Sequence, residues 1–498
     1  MKEEMYELKE DVTSSTLYNK DLAPTSIKER TWTTYNFTAL WVGMAHCIPT
    51  YMLAGGLIAL GMNWAQALLT ITLGNLIVLM PMLLNAHPGT KYGIPFPVLA
   101  RASFGSFGAN IPALLRAVVA CGWFGINTYI GGSALNMLFV AIFPSFKTLG
   151  GSFQIAGLSL PMAITFMIFW GIQIFIIYKG MNVLRKFENW AAPVVLILAL
   201  ALMVWVVMTA KGFGPLLSEP SKFKTTGEFM KVFIPSLTGM VGFWATLSLN
   251  IPDFTRFAKG QKEQMIGQSI GLPITMTVFS AMGIIITSAS AVIYGKAMWD
   301  PVDIIGRFTN PVALFIGFVG IIIASLSVNI AANIVSPAND FSNLLPKKIS
   351  FKTGGLITGI IGILIMPWKL LSDPSGYIFN WLGTYSAFLG PIAAIIICDY
   401  WITRKTRLNL KDLYSVEGEY YYSKGFNPKA VIALVVGVLV ALIGKIIPSL
   451  SVLFDYAWFV GFAVSFVTYI LIMPAKEKDD IKVQTKLNKN EKYKLDLK

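Results

Sequence analysis

The sequence predicts an all-α polytopic membrane protein with twelve transmembrane helices, and three observations support this fold class. Of the 498 residues, 55% are hydrophobic and only 13% are charged, and the mean hydropathy is +0.63. Apolar runs of about 20 residues, the length needed to cross roughly 30 Å of hydrocarbon, recur along the chain. Two of these runs are interrupted by helix-breaking residues at corresponding places in two halves. A soluble chain would not tolerate this composition.

The order of segments is simple. Residues 1–34 are polar and charged without apolar periodicity, and they predict a cytoplasmic N-terminal tail. The twelve predicted spans, called spans 1 to 12 below, lie near residues 36–62, 66–86, 111–142, 160–178, 189–210, 229–251, 268–294, 311–337, 353–371, 376–402, 428–447 and 452–473. Residues 475–498 predict a cytoplasmic C-terminal tail.

The net charge of +14 reflects membrane topology rather than nucleic-acid binding, because the basic residues lie between the apolar runs and in the two tails. Basic residues follow every second span: Lys179, Arg185 and Lys186; Arg256, Lys259 and Lys262; Lys347, Lys348 and Lys352; Arg404, Lys405 and Arg407. By the positive-inside rule, both termini are therefore expected to be cytoplasmic. Three lysines between spans 5 and 6 weaken the difference in positive charge between alternate loops.

Span 1 contains the first interruption, WVGMAHCIPTYMLAGG at residues 41–56. Pro49 removes a backbone donor and clashes with the preceding turn, while Gly43 loosens the helix before it. Non-helical backbone at membrane depth persists only where it is buried in protein or lines a cavity. We therefore expect a broken helix with a binding site near the bilayer midplane.

Span 6 contains the matching interruption, with Gly239, Gly242 and the Phe243-Trp244 pair inside IPSLTGMVGFWATLSLNIPDFTRF. Five spans separate the two breaks, so the halves would be inverted relative to each other. The predicted units are residues 35–210 and 211–408 for the two five-helix repeats, and 409–474 for a connecting loop with spans 11 and 12. The alternative is that the glycines only allow close helix packing.

Few residues suit metal or enzyme chemistry. The three cysteines, Cys47, Cys121 and Cys398, lie in apolar stretches without CxxC spacing, and there are only two histidines. No pair of membrane-depth carboxylates, HExxH motif or Ser/His/Asp set is apparent. We expect no metal, no cofactor and no enzymatic activity. A channel would need a continuous polar pore, whereas the isolated polar positions here suggest one occluded site.

Span 3 offers residues suited to a planar heterocycle. Trp123 and Asn127 are one helical turn apart and share a face. An indole provides a flat stacking surface, and an amide provides both a donor and an acceptor. Interfacial anchoring of the tryptophan, or an asparagine that only joins helices, is the alternative.

Four stretches carry a family resemblance: GTKYGIPFPVLARASFG at 89–105, NIPDFTRFAKGQKEQ at 250–264, NIAANIVSPA at 329–338, and the GP, DYW and DLY cluster through residues 390–414. The chain resembles the nucleobase:cation symporter-1 family, and within it the bacterial allantoin permease branch. The resemblance implies a LeuT-like five-plus-five inverted repeat, with helices 1 and 6 discontinuous and two extra C-terminal helices. It also implies transport by alternating access.

The resemblance further implies a substrate site. In it Trp123 and Trp244 sandwich the ring, Asn127 and Asn333 bond its edge, and Cys47, Phe243 and Leu382 surround it. Cys47 stands where relatives commonly carry an amide, and Asn127 where glutamine is usual. These two departures leave a smaller or less polar ring, such as a pyrimidine base, as an alternative ligand to allantoin.

The cation site of sodium-coupled relatives is incomplete in this sequence. The resemblance places backbone carbonyls at Gly43, His46 and Ala324, and two hydroxyl side chains at Ser327 and Val328. Val328 supplies no oxygen, and sodium requires oxygen ligands as other hard cations do. We therefore expect proton-linked, sodium-independent transport with His46 as the titrating group. The alternative is facilitated diffusion, with His46 only capping the broken helix.

The sequence thus predicts a monomeric secondary transporter in the cell membrane that imports a small planar heterocycle, with the lipid bilayer as its surroundings and no nucleic-acid partner. A sodium-coupled nucleobase or vitamin-base symporter is the nearest alternative. A channel and a membrane-embedded enzyme are the alternatives from other classes.

Overall fold

A computed structural model of the chain describes residues 4–179, 181–213, 217–296, 298, 300–371, 380–473 and 492–493. Its first half contains the helices α1 Thr34–Ala45, α2 Ile48–Ala59, α3 Trp64–Tyr92, α4 Phe96–Phe104, α5 Asn110–Ile142, α6 Leu160–Lys179 and α7 Met181–Thr209. The second half contains α8 Thr226–Phe243, α9 Ala245–Asn250, α10 Pro252–Thr255, α11 Gln261–Tyr294, α12 Pro301–Ile305, α13 Pro311–Asn333, α14 Val335–Leu344, α15 Phe351–Leu364, α16 Pro367–Leu370 and α17 Gly383–Ile397.

The remaining C-terminal helices are a π-helical turn at Cys398–Thr403, α18 Pro428–Ile446, α19 Ser451–Asp455 and α20 Ala457–Ile472. Two short antiparallel pairs complete the secondary structure: β1 Met5–Tyr6 with β4 Lys492–Tyr493, and β2 Gln154–Ile155 with β3 Leu158–Ser159. Apart from β4, the predicted C-terminal tail lies outside the described residues, as do residues 376–379 of span 10.

Each predicted span corresponds to a helix or a helix pair. In the described part of the chain, seven helices are long and apolar enough to cross a membrane, and up to nine if two bent pairs each count as one span. Two shorter apolar helices, Pro193–Thr209 and Phe351–Leu364, match spans 5 and 9. The broken pair α8 and α9 matches span 6.

Helix packing follows the predicted repeat. Span 1 packs against span 7 through α1 and α11, and span 2 packs against span 6 through α3 and α8. These two contacts are equivalent if spans 1 to 5 correspond to spans 6 to 10. Span 3 packs against span 4 and, equivalently, span 8 packs against span 9. Span 3 of the first half also packs against span 8 of the second half, through α5 and α13. The two halves therefore meet at this pair of spans.

Span 8 differs from the prediction of one continuous helix over 311–337. It is interrupted at Ile334, whose φ and ψ are −119° and −47°, and α14 then continues to Leu344. Pro337 explains the interruption, because it has no N–H to donate to the Asn333 carbonyl one turn earlier. The extension brings Asp340 and Asn343 into the buried interior.

Spans 9 and 12 are shorter than predicted. Span 9 was expected over 353–371, but α15 ends at Leu364, and Met366 adopts a left-handed conformation (φ 52°) before Pro367. Proline disfavours helical backbone in the residue before it. Span 12 was expected over 452–473, but the segment Pro448–Asp455 is bent by 83° from α20. The Thr238 hydroxyl donates to the Asp455 carbonyl at 2.6 Å, which satisfies that helix end.

The N-terminal segment before α1 packs on the same face as the loops after spans 2, 6, 8 and 10. Asn19 donates to the carbonyls of Pro346 and Ile349, and the Tyr414 hydroxyl donates to the Leu22 carbonyl. Buried Arg30 donates to the carbonyls of Tyr6, Thr25 and Thr90. Burial lowers the pKa of Arg30 to about 10, so it remains protonated at neutral pH.

Candidate functional site

The break in span 1 lies at His46 and Cys47, as predicted. His46 has φ −81° and ψ 80°, Cys47 is extended, and the two helix segments are bent by 58°. Pro49 occupies the first turn of α2, where a missing N–H costs nothing. The Ala45 carbonyl at the end of α1 accepts from the Cys47 N–H at 3.0 Å and from the Thr50 hydroxyl at 2.8 Å.

The break in span 6 lies at Trp244, with φ −105° and ψ 8°, between α8 and α9. Gly242 has a specific role just before it, because a Cβ there would clash with the Ser386 hydroxyl oxygen and would approach the Leu382 carbonyl oxygen to 3.1 Å. A side chain at this position would push span 10 away from span 6. The absence of a side chain therefore lets the two spans meet next to Phe243 and Trp244.

A small cavity lined by buried residues lies between the two breaks. It has a volume of about 20 Å³, which is room for about one water molecule. Its lining comes from spans 1, 3, 6 and 8: Cys47, Pro49, Trp123, Asn127, Phe243, Trp244, Thr246, Leu247, Val328, Ala332 and Asn333. Six of the seven residues expected around the ligand are thus brought together.

Leu382 is the seventh residue, and it does not line this cavity. It is fully buried before α17, where its carbonyl accepts from the Ser386 hydroxyl at 2.5 Å. Its contact with the site runs through Gly242, which precedes Phe243. Leu382 therefore lies one layer behind the position that the resemblance implied.

Aromatic rings fill the centre of the site. Phe243 packs edge-to-face against Trp123 at 5.1 Å and against Trp244 at 4.9 Å between ring centroids. Trp41, which sequence reasoning missed, packs edge-to-face against Trp244 at 5.1 Å. The two tryptophans expected to sandwich a ligand thus both contact Phe243. A ring enters between them only if Phe243 moves.

Hydrogen-bonding groups in the cavity are poorly satisfied. Asn127 donates to the Trp123 carbonyl at 3.1 Å, and its Oδ1 is buried without a partner. The indole Nε1 of Trp244 is also buried without a partner. Unsatisfied buried polar groups cost free energy unless a partner arrives, and here both belong to side chains that line the same cavity. The cavity is therefore prepared for a ligand with both donors and acceptors.

A second, larger cavity of about 520 Å³ reaches the break in span 1 from another side. It runs between α7 and α13, its walls are mainly apolar, and His46, Cys47 and Ala324 form its inner end. His46 and Ala324, two of the positions of the expected cation site, thus face a common space. Gly43 and Ser327 are buried nearby in α1 and α13, while Val328 lines the small cavity instead.

His46 is held by aromatic neighbours. Its Nε2 lies 3.0 Å from the Tyr51 hydroxyl, and its ring packs against Phe279 with 4.6 Å between centroids. Its Nδ1 is buried, and no described residue bonds to it. His46 thus interacts with α2, the second helix of its own span, and with α11 of span 7.

Sequence reasoning missed a buried ion pair between spans 3 and 8. Arg116 of span 3 lies 3.5 Å from Asp340 of α14, and both side chains are fully buried. Arg116 also donates to Asn250 at 3.1 Å and to the Ala332 carbonyl at 3.4 Å. Asp340 lies beyond residue 337, where span 8 was predicted to end, and α14 extends this span to Leu344.

Clusters of His, Cys, Asp and Glu side chains are one way in which a protein holds a metal ion. No group of three or more His, Cys, Asp or Glu side chains within them lies close enough to hold a metal ion. The three cysteines are free and buried. The chemistry available at the site is stacking and hydrogen bonding.

Comparison with known proteins agrees with this geometry. Residues 24–461 match the family model described as a permease for cytosine/purines, uracil, thiamine and allantoin. The chain is 44% identical to the allantoin permease of Bacillus subtilis (strain 168) over 95% of this chain and 96% of that one. It is 43% identical to the purine-uracil permease NCS1 of Arabidopsis thaliana, over 92% of this chain and 78% of that one.

A solved structure shares the fold. Mhp1, a nucleobase-cation-symport-1 family transporter with bromovinylhydantoin bound in a closed conformation, matches with a TM-score of 0.77 and 25% identity, over 95% of this chain and 99% of that one. This match confirms the predicted five-plus-five fold with two additional helices. The chain is a multi-pass membrane transporter, and it belongs to the nucleobase-cation-symport-1 family of permeases.

Proposed function

We propose that this protein imports a small planar heterocycle of the allantoin, hydantoin or nucleobase type by alternating access. The observation that carries the proposal is the convergence of two indoles and two carboxamides from spans 3, 6 and 8 on one cavity between two broken helices. The named relatives are permeases for allantoin and for purines and uracil, and Mhp1 holds a hydantoin. Stacking and edge recognition suit all of these rings.

In this proposal Trp123 and Trp244 stack on the two faces of the ring, and Asn127 and Asn333 bond its edge. Phe243 swings out of the space between the tryptophans, and Cys47 forms the wall at the break in span 1. Leu382 acts from behind, by holding span 10 against Gly242. The cavity has a volume of only about 20 Å³, so binding of a heterocycle requires that the rings separate.

Coupling is proposed to be proton-linked and sodium-independent. Val328 supports this, because its isopropyl group offers no oxygen where sodium would need a ligand. His46 is the proposed proton carrier, and Asp340 beside Arg116 is a second buried group that can take up a proton. The competing proposals are a sodium-coupled nucleobase or vitamin-base symporter, and facilitated diffusion with His46 as a structural cap.

We further propose that the protein is monomeric, lies in the cell membrane with both termini cytoplasmic, and has no enzymatic activity. The N-terminal segment supports the orientation, since it packs on the face that carries the basic loops. The two repeats are proposed to be 35–210 and 211–408, followed by the unit 409–474. Labelling of cysteines introduced at the termini, with a membrane-impermeant reagent on intact cells, would contradict this orientation if they reacted.

A binding screen tests the proposed function. Purified protein is heated with allantoin, hydantoins, purines, pyrimidines or vitamin bases, and the shift in unfolding temperature is measured. A ligand that binds only the folded protein raises this temperature, and the stabilisation grows with the logarithm of ligand concentration divided by the dissociation constant. We expect a rise with at least one of these heterocycles. No rise with any of them at millimolar concentration would contradict the proposal.

A further inference from the structure

Three buried amides form a hydrogen-bonded chain that leads from span 4 to the candidate site. They are Gln173 in α6, and Asn329 and Asn333 in α13, and none is more than 6% exposed. Only Asn333 lines the small cavity. Gln173 lies in an otherwise strongly apolar helix that contributes no residue to that cavity, and buried amides in membrane spans usually have a specific role.

The orientation of Gln173 is fixed by its own backbone. Its Nε2 donates to the Phe169 carbonyl at 3.3 Å and to the Thr128 hydroxyl oxygen at 3.1 Å. A carbonyl only accepts hydrogen bonds, so the nitrogen must face it. The Gln173 oxygen therefore faces Asn329 and accepts from its Nδ2 at 2.5 Å.

Asn329 transmits this orientation by one residue. Its Nδ2 donates to the Phe124 carbonyl at 3.0 Å and to the Thr128 hydroxyl oxygen at 3.2 Å as well as to Gln173. Its oxygen is left to accept from Asn333 at 2.9 Å. The hydrogen bond of the Asn333 side chain thus uses its nitrogen. The backbone carbonyls of Phe124 and Phe169 thus fix the direction of the hydrogen bonds from Gln173 to Asn333. The Asn333 oxygen points away from Asn329.

The Asn127 amide is oriented in the same way, with its nitrogen bonded and its oxygen free to accept, but for an independent reason. Its nitrogen donates to the Trp123 carbonyl one turn earlier, and its oxygen remains without a partner. Both amides of the site therefore present acceptor oxygens. The Trp244 indole N–H is a donor in the cavity for which no described residue supplies a partner.

We propose that Gln173 is a positioning residue that fixes the Asn333 amide, and that the site consequently selects ligands by their N–H groups. This inference rests on the proposed function and specifies its substrate class. The ligand is a ring with at least two N–H donors and a carbonyl for Trp244, such as a cyclic ureide or imide. Rings with only pyridine-like nitrogens, or with methylated nitrogens, place no proton opposite the amide oxygens.

A purely structural role is the competing explanation, because the same hydrogen bonds join spans 3, 4 and 8. Loss of a structural contact weakens all ligands equally. Loss of a positioning contact lets the Asn333 amide rotate and offer its nitrogen, so it specifically reduces the preference for N–H over N-methyl. The ratio of two dissociation constants therefore separates the two roles.

The experiment measures the affinity of purified full-length protein for allantoin, hydantoin and uracil, each paired with its N-methyl derivatives. Variants are Gln173→Met, which has a similar shape but fixes no amide, and Gln173→Glu, which keeps an oxygen facing Asn329. Thr165→Val on the same helix is the control, because the Thr165 hydroxyl bonds only to carbonyls of its own helix. Gln173→Leu replaces the Met variant if that protein does not purify as a single species.

We expect the wild-type protein to prefer an unmethylated ligand by roughly tenfold, the effect of one unmade buried hydrogen bond. Gln173→Met should lose a measurable part of this preference, because Asn329 then keeps only the Phe124 carbonyl and the Thr128 hydroxyl as acceptors, whereas Gln173→Glu and Thr165→Val should retain it. If both Gln173→Met and Gln173→Leu kept the wild-type ratio of dissociation constants for methylated and unmethylated ligand, the positioning role would be overturned, even if affinity fell uniformly. Failure of every parent heterocycle to bind wild-type protein would instead overturn the proposed function on which the inference rests.

Discussion

Single side chains at the two breaks should determine affinity. Trp123→Ala removes one face of the proposed stack, worth roughly 0.5–1.5 kcal/mol beyond the area it buries. Together with the lost burial, we expect the dissociation constant of the best ligand to rise tenfold or more, measured by calorimetry. Trp190→Ala is the matched control, because this indole on α7 is 48% exposed and lies outside the cavity. Equal affinities in both variants would contradict a role for Trp123 in binding.

Selectivity should depend on two other side chains. Cys47→Asn together with Asn127→Gln introduces the amide and the methylene of reach that the family resemblance implies at these positions. Both residues line the small cavity, so the exchange adds donor and acceptor groups where a ligand would lie. We expect the affinity for allantoin to rise relative to that for uracil. An unchanged ranking of the two ligands would show that these positions do not set selectivity.

At the residue scale, the sequence was sufficient to identify the types of side chain but not their arrangement. Trp123, Asn127 and Trp244 could be found because such residues are uncommon in the middle of an apolar span. Phe243 was expected beside the ligand, yet it occupies the space between the tryptophans. No sequence pattern specifies a rotamer, since packing among several helices determines it.

Elements are joined by contacts that can be removed one at a time. Arg116 on α5 and Asp340 on α14 form a fully buried ion pair across spans 3 and 8. Removing one partner leaves an uncompensated buried charge, which typically costs about 3–5 kcal/mol, whereas replacing both partners by apolar residues is often neutral. We expect Arg116→Met to lower the unfolding temperature in detergent strongly, and Arg116→Met with Asp340→Leu to recover most of the loss. A double variant as unstable as the single variant would contradict this account of the pair.

The breaks in the helices show why some elements could be predicted and others could not. The break in span 1 follows from Pro49 and Gly43, which act locally. The interruption of span 8 also has a local cause in Pro337, but the apolar run hides it, and so the buried position of Asp340 was missed. Span 12 was predicted too long because its bend depends on a contact with Thr238, 217 positions away in the sequence.

At the scale of the whole molecule, the proposal to be tested is the coupling of heterocycle uptake to a proton gradient rather than to a sodium gradient. With Val328 at one of the two hydroxyl positions, we expect heterocycle uptake into proteoliposomes to be unaffected by an inward sodium gradient at constant pH. An inward proton gradient should stimulate uptake, because a cotransported proton contributes about 2.3 kcal/mol per 100 mV of membrane potential. Val328→Thr, which restores the hydroxyl, tests whether sodium dependence can be recovered. Stimulation of the wild-type protein by sodium would contradict the proposal.

The central claim is that a heterocycle crosses the membrane through the site between the two breaks. Its most direct test is the uptake of a radiolabelled heterocycle, chosen by the binding screen, into proteoliposomes that contain the purified protein. We predict saturable uptake of the unmodified compound, competition by unlabelled ligand, and loss of most uptake in Trp123→Ala but not in Trp190→Ala. Unsaturable flux, chemical conversion of the compound, or equal uptake in the two variants would contradict the claim.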